Sequence, residues 1–267
     1  MSDQKIRIAN LKHADLHWRE DGDANGRPVV FANSLGTDLR LWDAVLPLLP
    51  TGLRYIRFDK RGHGLSSCPA APYSMQSLCD DAEQLLDHLG VQDCLFVGLS
   101  IGGMIGQALA AKRPDLIRAL VLSNTAAKMG DAATWNDRIA AIEADGIESL
   151  ADAVLSRWFA PTFLAQPEAT AWRNMLCRTP QTGYVGCCHA IADADLSAQT
   201  SQLKLPTMGI AGSEDGASPA EIVRATVDSI ADSKCHVMQG VGHLPCVEDP
   251  TSYAQLLTAF IKETQHA

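Results

Sequence analysis

Short apolar runs alternate along this chain with longer stretches in which apolar residues recur at helical spacing. Within residues 73–89, apolar side chains repeat at intervals of four, seven, eight and eleven positions, which is one face of a helix, and Gly90 follows as its stop. Residues 103–112 form a second helical stretch, closed before Pro114. The short runs, which predict buried strands, are residues 28–32, 54–58, 94–97 and 117–122. Strand and helix therefore alternate, as in a parallel sheet covered by helices.

This alternation is interrupted once. From about Ala126 to about Asp195 helical spacing dominates, with breaks at Pro161 and Pro180, and three of the five tryptophans lie in this stretch. Residues 5–20, near the start of the chain, alternate loosely, as antiparallel strands do. After the interruption, the pattern predicts a strand at 206–211, a helix at 221–230, a strand at 234–238 and a closing helix at 250–262.

The chain has 267 residues, which is long enough for one sizeable core that carries an insertion. We therefore predict an α/β fold with a mostly parallel central sheet flanked by helices. The predicted domains are a core of residues 1–125 and 196–267 and an inserted helical cap of residues 126–195.

Composition and charge exclude several classes of function. Apolar residues make up 46% of the chain and charged residues 20%, which is ordinary for a soluble globular protein. A formal net charge of −9 disfavours binding to nucleic acid or to an anionic membrane, and an anionic substrate would need a local cation. No apolar run approaches the roughly 18 residues of a membrane span, and the polar residues 1–5 begin no signal peptide. The eight cysteines lack Cys-x-x-Cys spacing, so we expect reduced thiols in a cytoplasmic protein that uses no metal and no cofactor.

Residues 98–102 read Gly-Leu-Ser-Ile-Gly, a Gly-x-Ser-x-Gly motif set between an apolar strand and a helix. In that setting the serine lies on a sharp, strained turn that leaves no room for side chains beside it, hence the two glycines. The turn lifts the hydroxyl above the sheet edge, and the helix N-terminus favours negative charge developing there. We predict that Ser100 is a nucleophile; the alternative is a glycine-rich packing turn with an incidental serine.

A serine hydroxyl is a poor nucleophile at neutral pH and needs a base, which is expected later in the chain, after an acid. Asp215 and His243 each fall in a loop that follows a predicted strand. His243 would take the Ser100 proton and return it to the leaving oxygen, while Asp215 would fix the tautomer of the imidazole. Glu214 is the rival acid. Weaker rivals at the end of the insertion are Asp193 and Asp195, and His63 is expected to be structural.

A tetrahedral intermediate needs backbone amides that bind its oxyanion. The usual donors are the amide after the nucleophile, here that of Ile101, and one from the loop after an earlier central strand, here that of Leu35. The Leu35 side chain also suits packing beneath the insertion, and the two roles are compatible.

Four segments together resemble the α/β-hydrolase family. They are Asn-Ser-Leu-Gly-Thr at 33–37, Asp-Lys-Arg-Gly-His-Gly-Leu-Ser at 59–66, the turn around Ser100, and Gly242-His243. The resemblance covers nearly the whole chain and implies that the insertion is the cap domain of that family. Most members carry His-Gly where this chain has Asn33-Ser34. That departure fits a narrower group, because Ser-Asn-Thr-Ala at 123–126, Trp135-Asn136-x-Arg138-Ile139, Trp172-Arg173-Asn174-Met175 and His243-x-Pro245-Cys246 are similar to the 3-oxoadipate enol-lactonases.

This resemblance implies a reaction. Enzymes of that group open the five-membered enol-lactone of protocatechuate and catechol degradation, giving 3-oxoadipate. On this chain, Ser100 would attack the lactone carbonyl, the enolate oxygen would leave, and water activated by His243 would hydrolyse the acyl-enzyme. Three alternatives stay open: a general carboxylesterase, a C–C bond hydrolase of the same fold, and a hydrolase-fold receptor that binds a lactone.

The substrate implied by the resemblance is a small anionic lactone, and a buried carboxylate needs a paired cation. Trp135 and Arg138 stand three residues apart on one face of a predicted helix. Arg138 could therefore bind the substrate carboxylate while the Trp135 side chain packs beside the lactone ring. Their ordinary states are a core tryptophan and an exposed arginine. Arg173 is the alternative cation, and Arg61 is expected to tie down its own turn.

Overall fold

Eight strands form one sheet in the computed structural model, which describes residues 5–266. In chain order they are Arg7–Asn10 (β1), Asp15–Gly22 (β2), Pro28–Ala32 (β3), Arg54–Phe58 (β4), Cys94–Leu99 (β5), Ile117–Ser123 (β6), Thr207–Gly212 (β7) and Lys234–Met238 (β8). Their order across the sheet is β1-β2-β4-β3-β5-β6-β7-β8. The β1–β2 and β2–β4 pairs are antiparallel, whereas β3 to β8 pair in parallel. The predicted α/β fold with a mostly parallel sheet is confirmed.

Helices connect the strands and cover the sheet. They are Met75–His88 (α1), Ile101–Lys112 (α2), Ala132–Asp145 (α3), Ala151–Trp158 (α4), Pro161–Leu164 (α5), Ala169–Cys177 (α6), Gln181–Ala192 (α7), Ser197–Thr200 (α8), Ala220–Asp228 (α9), Pro245–Glu248 (α10) and Pro250–Glu263 (α11). Single 3-10 turns occur at Leu39–Trp42, Leu46–Leu48 and Ile147–Leu150. The helices predicted outside the insertion correspond to α1, α2, α9 and α11.

Two helices begin two residues away from their predicted positions, and local hydrogen bonds give the reason. Helix α1 begins two residues late because the Ser74 hydroxyl caps it, accepting from Ser77 N at 3.1 Å. Helix α2 begins at Ile101, two residues early, because Ser100 O already accepts from Gly103 N at 2.8 Å. The turn that carries Ser100 therefore passes into α2 without a spacer.

Between β6 and β7, a stretch that lies wholly within the described residues, the backbone forms helices α3 to α8 and no strand. Pro161 begins α5 and Pro180 immediately precedes α7, so the two predicted interruptions fall at helix N-termini, where proline is tolerated. The division into a core (1–125 and 196–267) and a cap (126–195) stays a prediction, and its residues 1–4 and 267 lie outside the described residues. No helix within 5–266 has the length and apolar character needed to cross a bilayer.

The carboxyl ends of the parallel strands lie along one edge of the sheet. The loops gathered there are residues 33–37 after β3, 59–66 after β4, Ser100 after β5, 213–218 after β7 and 239–243 after β8. Strand β5, which leads to Ser100, is buried along its whole length and pairs with β3 and β6. Ligand sites of open α/β sheets form at this edge, so the fold brings the candidate residues to one place.

Candidate active site

Ser100 occupies a strained turn between β5 and α2. Its backbone has φ +58° and ψ −123°, a region that residues other than glycine rarely adopt. A Cβ placed on Gly98 would overlap the carbonyl oxygen of Gly102, and one on Gly102 would overlap that of Ala32. The Ser100 hydroxyl is not used to cap α2. The two glycines of the motif are therefore required by the close approach of backbone atoms, and the hydroxyl stays available for other contacts.

Asp215 and His243 are in direct contact at the ends of β7 and β8. The His243 Nδ1 lies 2.9 Å from Asp215 Oδ2 and 3.1 Å from Oδ1, and both side chains are buried. Burial by itself would raise the pKa of Asp215, but the imidazole and the hydrogen bonds to the carboxylate outweigh burial and lower it. Glu214, the rival acid, is exposed and accepts from the Ser213 hydroxyl at 3.3 Å. Of the two neighbouring acids, the structure brings Asp215 to the imidazole.

Two further side chains hold the Asp215 carboxylate, and the sequence reasoning missed both. Asn124 Nδ2 donates to Oδ2 at 2.8 Å from the end of β6, and the Ser218 hydroxyl donates to the same oxygen at 2.8 Å. The Ser218 and Ala217 amides donate to Oδ1 at 2.9 and 2.7 Å. Asn124 has φ +47°, which is unusual for a residue with a side chain. A polar residue directly after a central strand was the available signal for Asn124; nothing in the pattern marked Ser218.

The loop that carries His243 is attached to the end of helix α4. His243 N donates to Trp158 O at 2.7 Å. The Glu248 carboxylate bridges the two segments, because it accepts from Gly242 N at 2.6 Å and from Ala160 N at 3.0 Å. Burial raises the pKa of Glu248 above its ordinary value. The position of the imidazole therefore depends on the insertion as well as on the sheet.

The second imidazole nitrogen of His243 faces a hydroxyl. Its Nε2 lies 3.4 Å from Ser34 Oγ, in the loop after β3, and both residues are buried. Among residues 5–266, no hydrogen bond joins Nε2 to the Ser100 hydroxyl, so this link of the predicted triad is not formed in the structure. In enzymes without bound substrate, the contact between a nucleophile and its base is often long and shortens when substrate binds.

The two predicted oxyanion donors lie in the first turn of α2 and in the loop after β3. Ile101 is the first residue of α2, and amides in the first turn of a helix have no acceptor within the helix. Leu35 lies in the loop of residues 33–37, which we call the oxyanion loop, and its side chain is buried. A Cβ on the next residue, Gly36, would lie 2.7 Å from Leu176 and 3.1 Å from Tyr184, so the insertion packs directly onto this loop.

Hydrogen bonds to β4, to the turn after β4 and to Trp42 hold the oxyanion loop in place. Asn33 Nδ2 donates to Phe58 O at 2.9 Å, and Trp42 Nε1 donates to Asn33 Oδ1 at 2.8 Å. Gly36 N donates to His63 Nε2 at 3.0 Å. Burial and a nearby lysine lower the pKa of His63 well below its ordinary value, which keeps the imidazole neutral and able to accept. Asn33 therefore has a structural use within the loop, because its side-chain amide both donates and accepts a hydrogen bond.

Trp135 and Arg138 pack against each other in the insertion, as their spacing predicts. The Arg138 guanidinium lies 4.8 Å from the centre of the Trp135 ring, and both side chains are half-buried. Trp135 Nε1 donates to Met129 O at 2.6 Å, which orients the ring. Burial raises the pKa of the Tyr184 hydroxyl, and the nearby positive charge of Arg138 partly offsets that rise. Because Tyr184 packs over Gly36, Arg138 lies on the side of the insertion that faces the oxyanion loop.

Three arginines of the insertion differ in their partners. Arg173 pairs with Asp152 at 2.8 Å and with Glu148 at 3.4 Å, both exposed acids. Within residues 5–266, neither Arg138 nor Arg157 forms a salt bridge with a carboxylate. Burial lowers the pKa of Arg157, and the nearby charge of Arg138 lowers it further. Two cations thus lie close together with no acid paired to them, whereas Arg173 is already neutralised.

Arg61 has the structural role expected of it. Its guanidinium donates to both carboxylate oxygens of Asp81 in α1, at 2.5 and 2.6 Å, and lies 5.5 Å from the centre of the Tyr73 ring. This buried pair ties the turn after β4 to helix α1.

Known proteins resemble this chain over nearly its whole length. A family model described as alpha/beta hydrolase fold matches residues 27–250. A 3-oxoadipate enol-lactonase of Acinetobacter baylyi is 32% identical over 249 residues, covering 92% of this chain and 93% of its own. The crystal structure of an enol-lactonase from Burkholderia xenovorans superposes with a TM-score of 0.93 at 33% identity and covers 96% of this chain and 100% of its own. A hydrolase from Pseudomonas aeruginosa superposes equally well, with a TM-score of 0.93 at 38% identity, covering 97% of this chain and 99% of its own.

Proposed function

The chain belongs to the α/β-hydrolase fold family, and from that premise we propose that it is a serine hydrolase with Ser100 as nucleophile, His243 as base and Asp215 as orienting acid. The observation that carries the proposal is the buried Asp215–His243 pair at 2.9 Å, together with a serine in the strained backbone conformation of a nucleophile elbow. An exposed histidine or a relaxed serine turn would offer no such support.

In the proposed reaction, the Ser100 oxygen bonds to the substrate carbonyl carbon while its proton passes to His243 Nε2. The carbonyl electron pair moves onto oxygen, where the amides of Leu35 and Ile101 stabilise the charge. The intermediate then collapses, the bond to the leaving oxygen breaks, and His243 returns the proton to that oxygen. Water repeats the sequence on the acyl-enzyme and frees Ser100.

For the substrate we propose 3-oxoadipate enol-lactone, opened to 3-oxoadipate. Relatives named as 3-oxoadipate enol-lactonases are 30% and 32% identical to this chain, with nine-tenths or more of both chains covered. In that lactone the leaving group is an enolate, which departs more readily than an ordinary alkoxide and becomes a ketone on tautomerisation. The leaving oxygen therefore needs little assistance from His243 acting as general acid.

Arg138 is the proposed partner of the substrate carboxylate, and Trp135 forms a wall beside it. The position of Arg138 next to Tyr184, together with its lack of an acidic partner among the described residues, supports this choice over Arg173. Arg157 adds positive charge on the same side. These two cations locally oppose the field of a chain whose net charge is −9, so an anion can approach there.

Hydrolysis of freshly made 3-oxoadipate enol-lactone by the wild type and by Ser100→Ala tests the proposal. We expect many turnovers per active site for the wild type and none above background for the variant. An aryl ester and a vinylogous diketone, assayed beside the lactone, distinguish the alternative functions. Faster hydrolysis of the aryl ester favours a general carboxylesterase, and faster hydrolysis of the diketone favours a C–C hydrolase. Stoichiometric lactone binding without turnover would favour a receptor and contradict the proposed activity.

A further inference from the structure

A lysine ammonium lies buried beneath the oxyanion loop. Lys60 follows β4, and only 3% of its surface is exposed. Its Nζ donates to Ser34 O at 2.6 Å and lies 3.5 Å from both Asn33 O and Thr37 O. All three acceptors are backbone carbonyls of one five-residue loop, so this cation binds the loop itself and no side chain.

The charge of Lys60 has no direct carboxylate partner among residues 5–266. The titratable groups that face it are Asp59 beside it in the turn, Asp38 in the loop after β3, Cys187 in α7 and the neutral His63. A buried cation that is bound only by carbonyl dipoles costs stability, and lysine is commonly excluded from such positions. Its presence therefore calls for a reason other than stability.

Peptide geometry supplies that reason. The carbonyl of Ser34 and the amide of Leu35 belong to one planar trans peptide group, in which C=O and N–H point in opposite directions. Ser34 O also accepts from the Thr37 hydroxyl at 2.9 Å, and Lys60 Nζ, its nearest donor at 2.6 Å, helps to fix the direction of the Leu35 N–H. A positive charge on the oxygen side also polarises the peptide and strengthens the N–H as a donor.

We propose that Lys60 is a positioning residue for the oxyanion hole, which aims and polarises the Leu35 amide through the Ser34–Leu35 peptide. Because Leu35 matters only if Ser100 is a nucleophile, this role rests on the serine-hydrolase activity proposed above. The role also predicts a pH dependence. Burial lowers the pKa of Lys60 from its ordinary value to about 8, so the ammonium is present below that pH and is lost above it. The rate of acyl transfer should therefore fall as the pH rises through about 8.

The test uses Lys60→Met, which keeps the length of the side chain but removes the charge and the donor. With an acetate ester of a nitrophenol as substrate, we expect kcat to fall about tenfold or more at neutral pH, with little change in KM, since the lost interaction acts mainly in the transition state. The alkaline decline near pH 8 should disappear in the variant. Lys234→Met, at an exposed lysine paired with Glu263, is the matched control and should behave as the wild type.

A transition-state probe separates this role from a general structural one. A trifluoromethyl ketone forms a bond from the Ser100 oxygen to its carbonyl carbon, the electron pair moves to the ketone oxygen, and the serine proton goes to His243. The affinity for this adduct should weaken in Lys60→Met by about the same factor as kcat, while the affinity for the carboxylate product stays unchanged. The melting temperature at neutral pH should not fall, because methionine removes a buried charge.

Three outcomes would overturn the role of Lys60: a wild-type rate that stays flat through pH 8 and above, a folded Lys60→Met with wild-type kcat, or equal weakening of product and adduct binding. The first needs no variant, so the test stands even if Lys60→Met does not fold. A wild type inactive on both ester and lactone would contradict the proposed hydrolase activity instead, which keeps the two failures distinguishable.

Discussion

The loops at the carboxyl edge of the sheet and the helices of the insertion hold their candidate functional side chains in different ways. Ser100, Asp215 and His243 come from the sheet loops and are at most 6% exposed. Asp215 alone accepts hydrogen bonds from two backbone amides and two side chains besides its contact with the imidazole. Arg138 and Trp135 come from the insertion, are half-buried, and stack mainly on each other.

This difference corresponds to two different requirements, one for catalysis and one for substrate recognition. Proton transfer and oxyanion binding need fixed atoms, because small displacements of the reacting groups cost large factors in rate. Recognition of a substrate carboxylate tolerates a more mobile cation, since charge acts over a longer distance than a hydrogen bond. We therefore expect changes in the sheet loops to act on kcat and changes in the insertion to act on the choice of substrate.

The largest expected effect is that of Ser100→Ala. Without the nucleophile, hydrolysis of the enol-lactone should fall by about 10⁴-fold or more, to the level left by binding and the oxyanion hole. Steady-state hydrolysis rates check this prediction, and circular dichroism spectra of the same samples show whether the variant is folded. A folded variant that retains a tenth of the activity would mean that Ser100 is not the nucleophile.

Asp215→Asn should lower kcat by about 10³- to 10⁴-fold, because the amide disfavours the imidazole tautomer that accepts the Ser100 proton. The neighbouring Glu214→Gln is the matched control: this acid is exposed and far less engaged, so near wild-type kinetics are expected. If Glu214→Gln were the more damaging change, the assignment of the acid to Asp215 would be wrong.

Arg138→Ala should lower kcat/KM for the carboxylated lactone by about 10- to 100-fold, which is the range of a charge-assisted hydrogen bond, and should barely affect an uncharged lactone. Arg173→Ala removes a cation that exposed acids already pair, so it should leave both substrates unchanged. Equal losses on charged and uncharged lactones in Arg138→Ala would point to a packing role.

The smallest effect is expected for Glu248→Gln, at the contact between the two regions. Both partners of the Glu248 carboxylate are N–H donors, so the amide group of glutamine must face one of them, and kcat should fall a few-fold.

The same variant should also change the pH dependence of stability. Because the pKa of Glu248 is raised in the folded protein, its contribution to the free energy of unfolding is full below the ordinary glutamate pKa and falls as the pH rises through the raised value. Denaturant titrations across that range should show this slope in the wild type and not in Glu248→Gln. Parallel curves for both proteins would contradict the bridging role.

Much of the fold could be predicted because it depends on short-range patterns. Strands β3, β4 and β8 have the predicted bounds, since each apolar run is delimited by polar or glycine-containing turns. The short helices α8 and α10 and the 3-10 turns were not predicted, because pieces of three or four residues have no periodicity to read. The starts of α1 and α2 differ from the predicted positions by two residues, because hydrogen bonds at the helix ends set them and the apolar spacing does not show these bonds.

What the sequence by itself determined was the strand–helix alternation, the strained serine turn, and the chain order of Ser100, Asp215 and His243, all of which are expressed in the spacing of side chains. Only the tertiary structure decided that Asn124 and Ser218 donate hydrogen bonds to Asp215 and that Trp158 O accepts a hydrogen bond from the amide of His243. Only there does the Lys60 ammonium lie beneath the Ser34–Leu35 peptide. The physical reason is that these contacts join segments far apart in the chain and many end on backbone atoms, which a pattern of side chains does not specify.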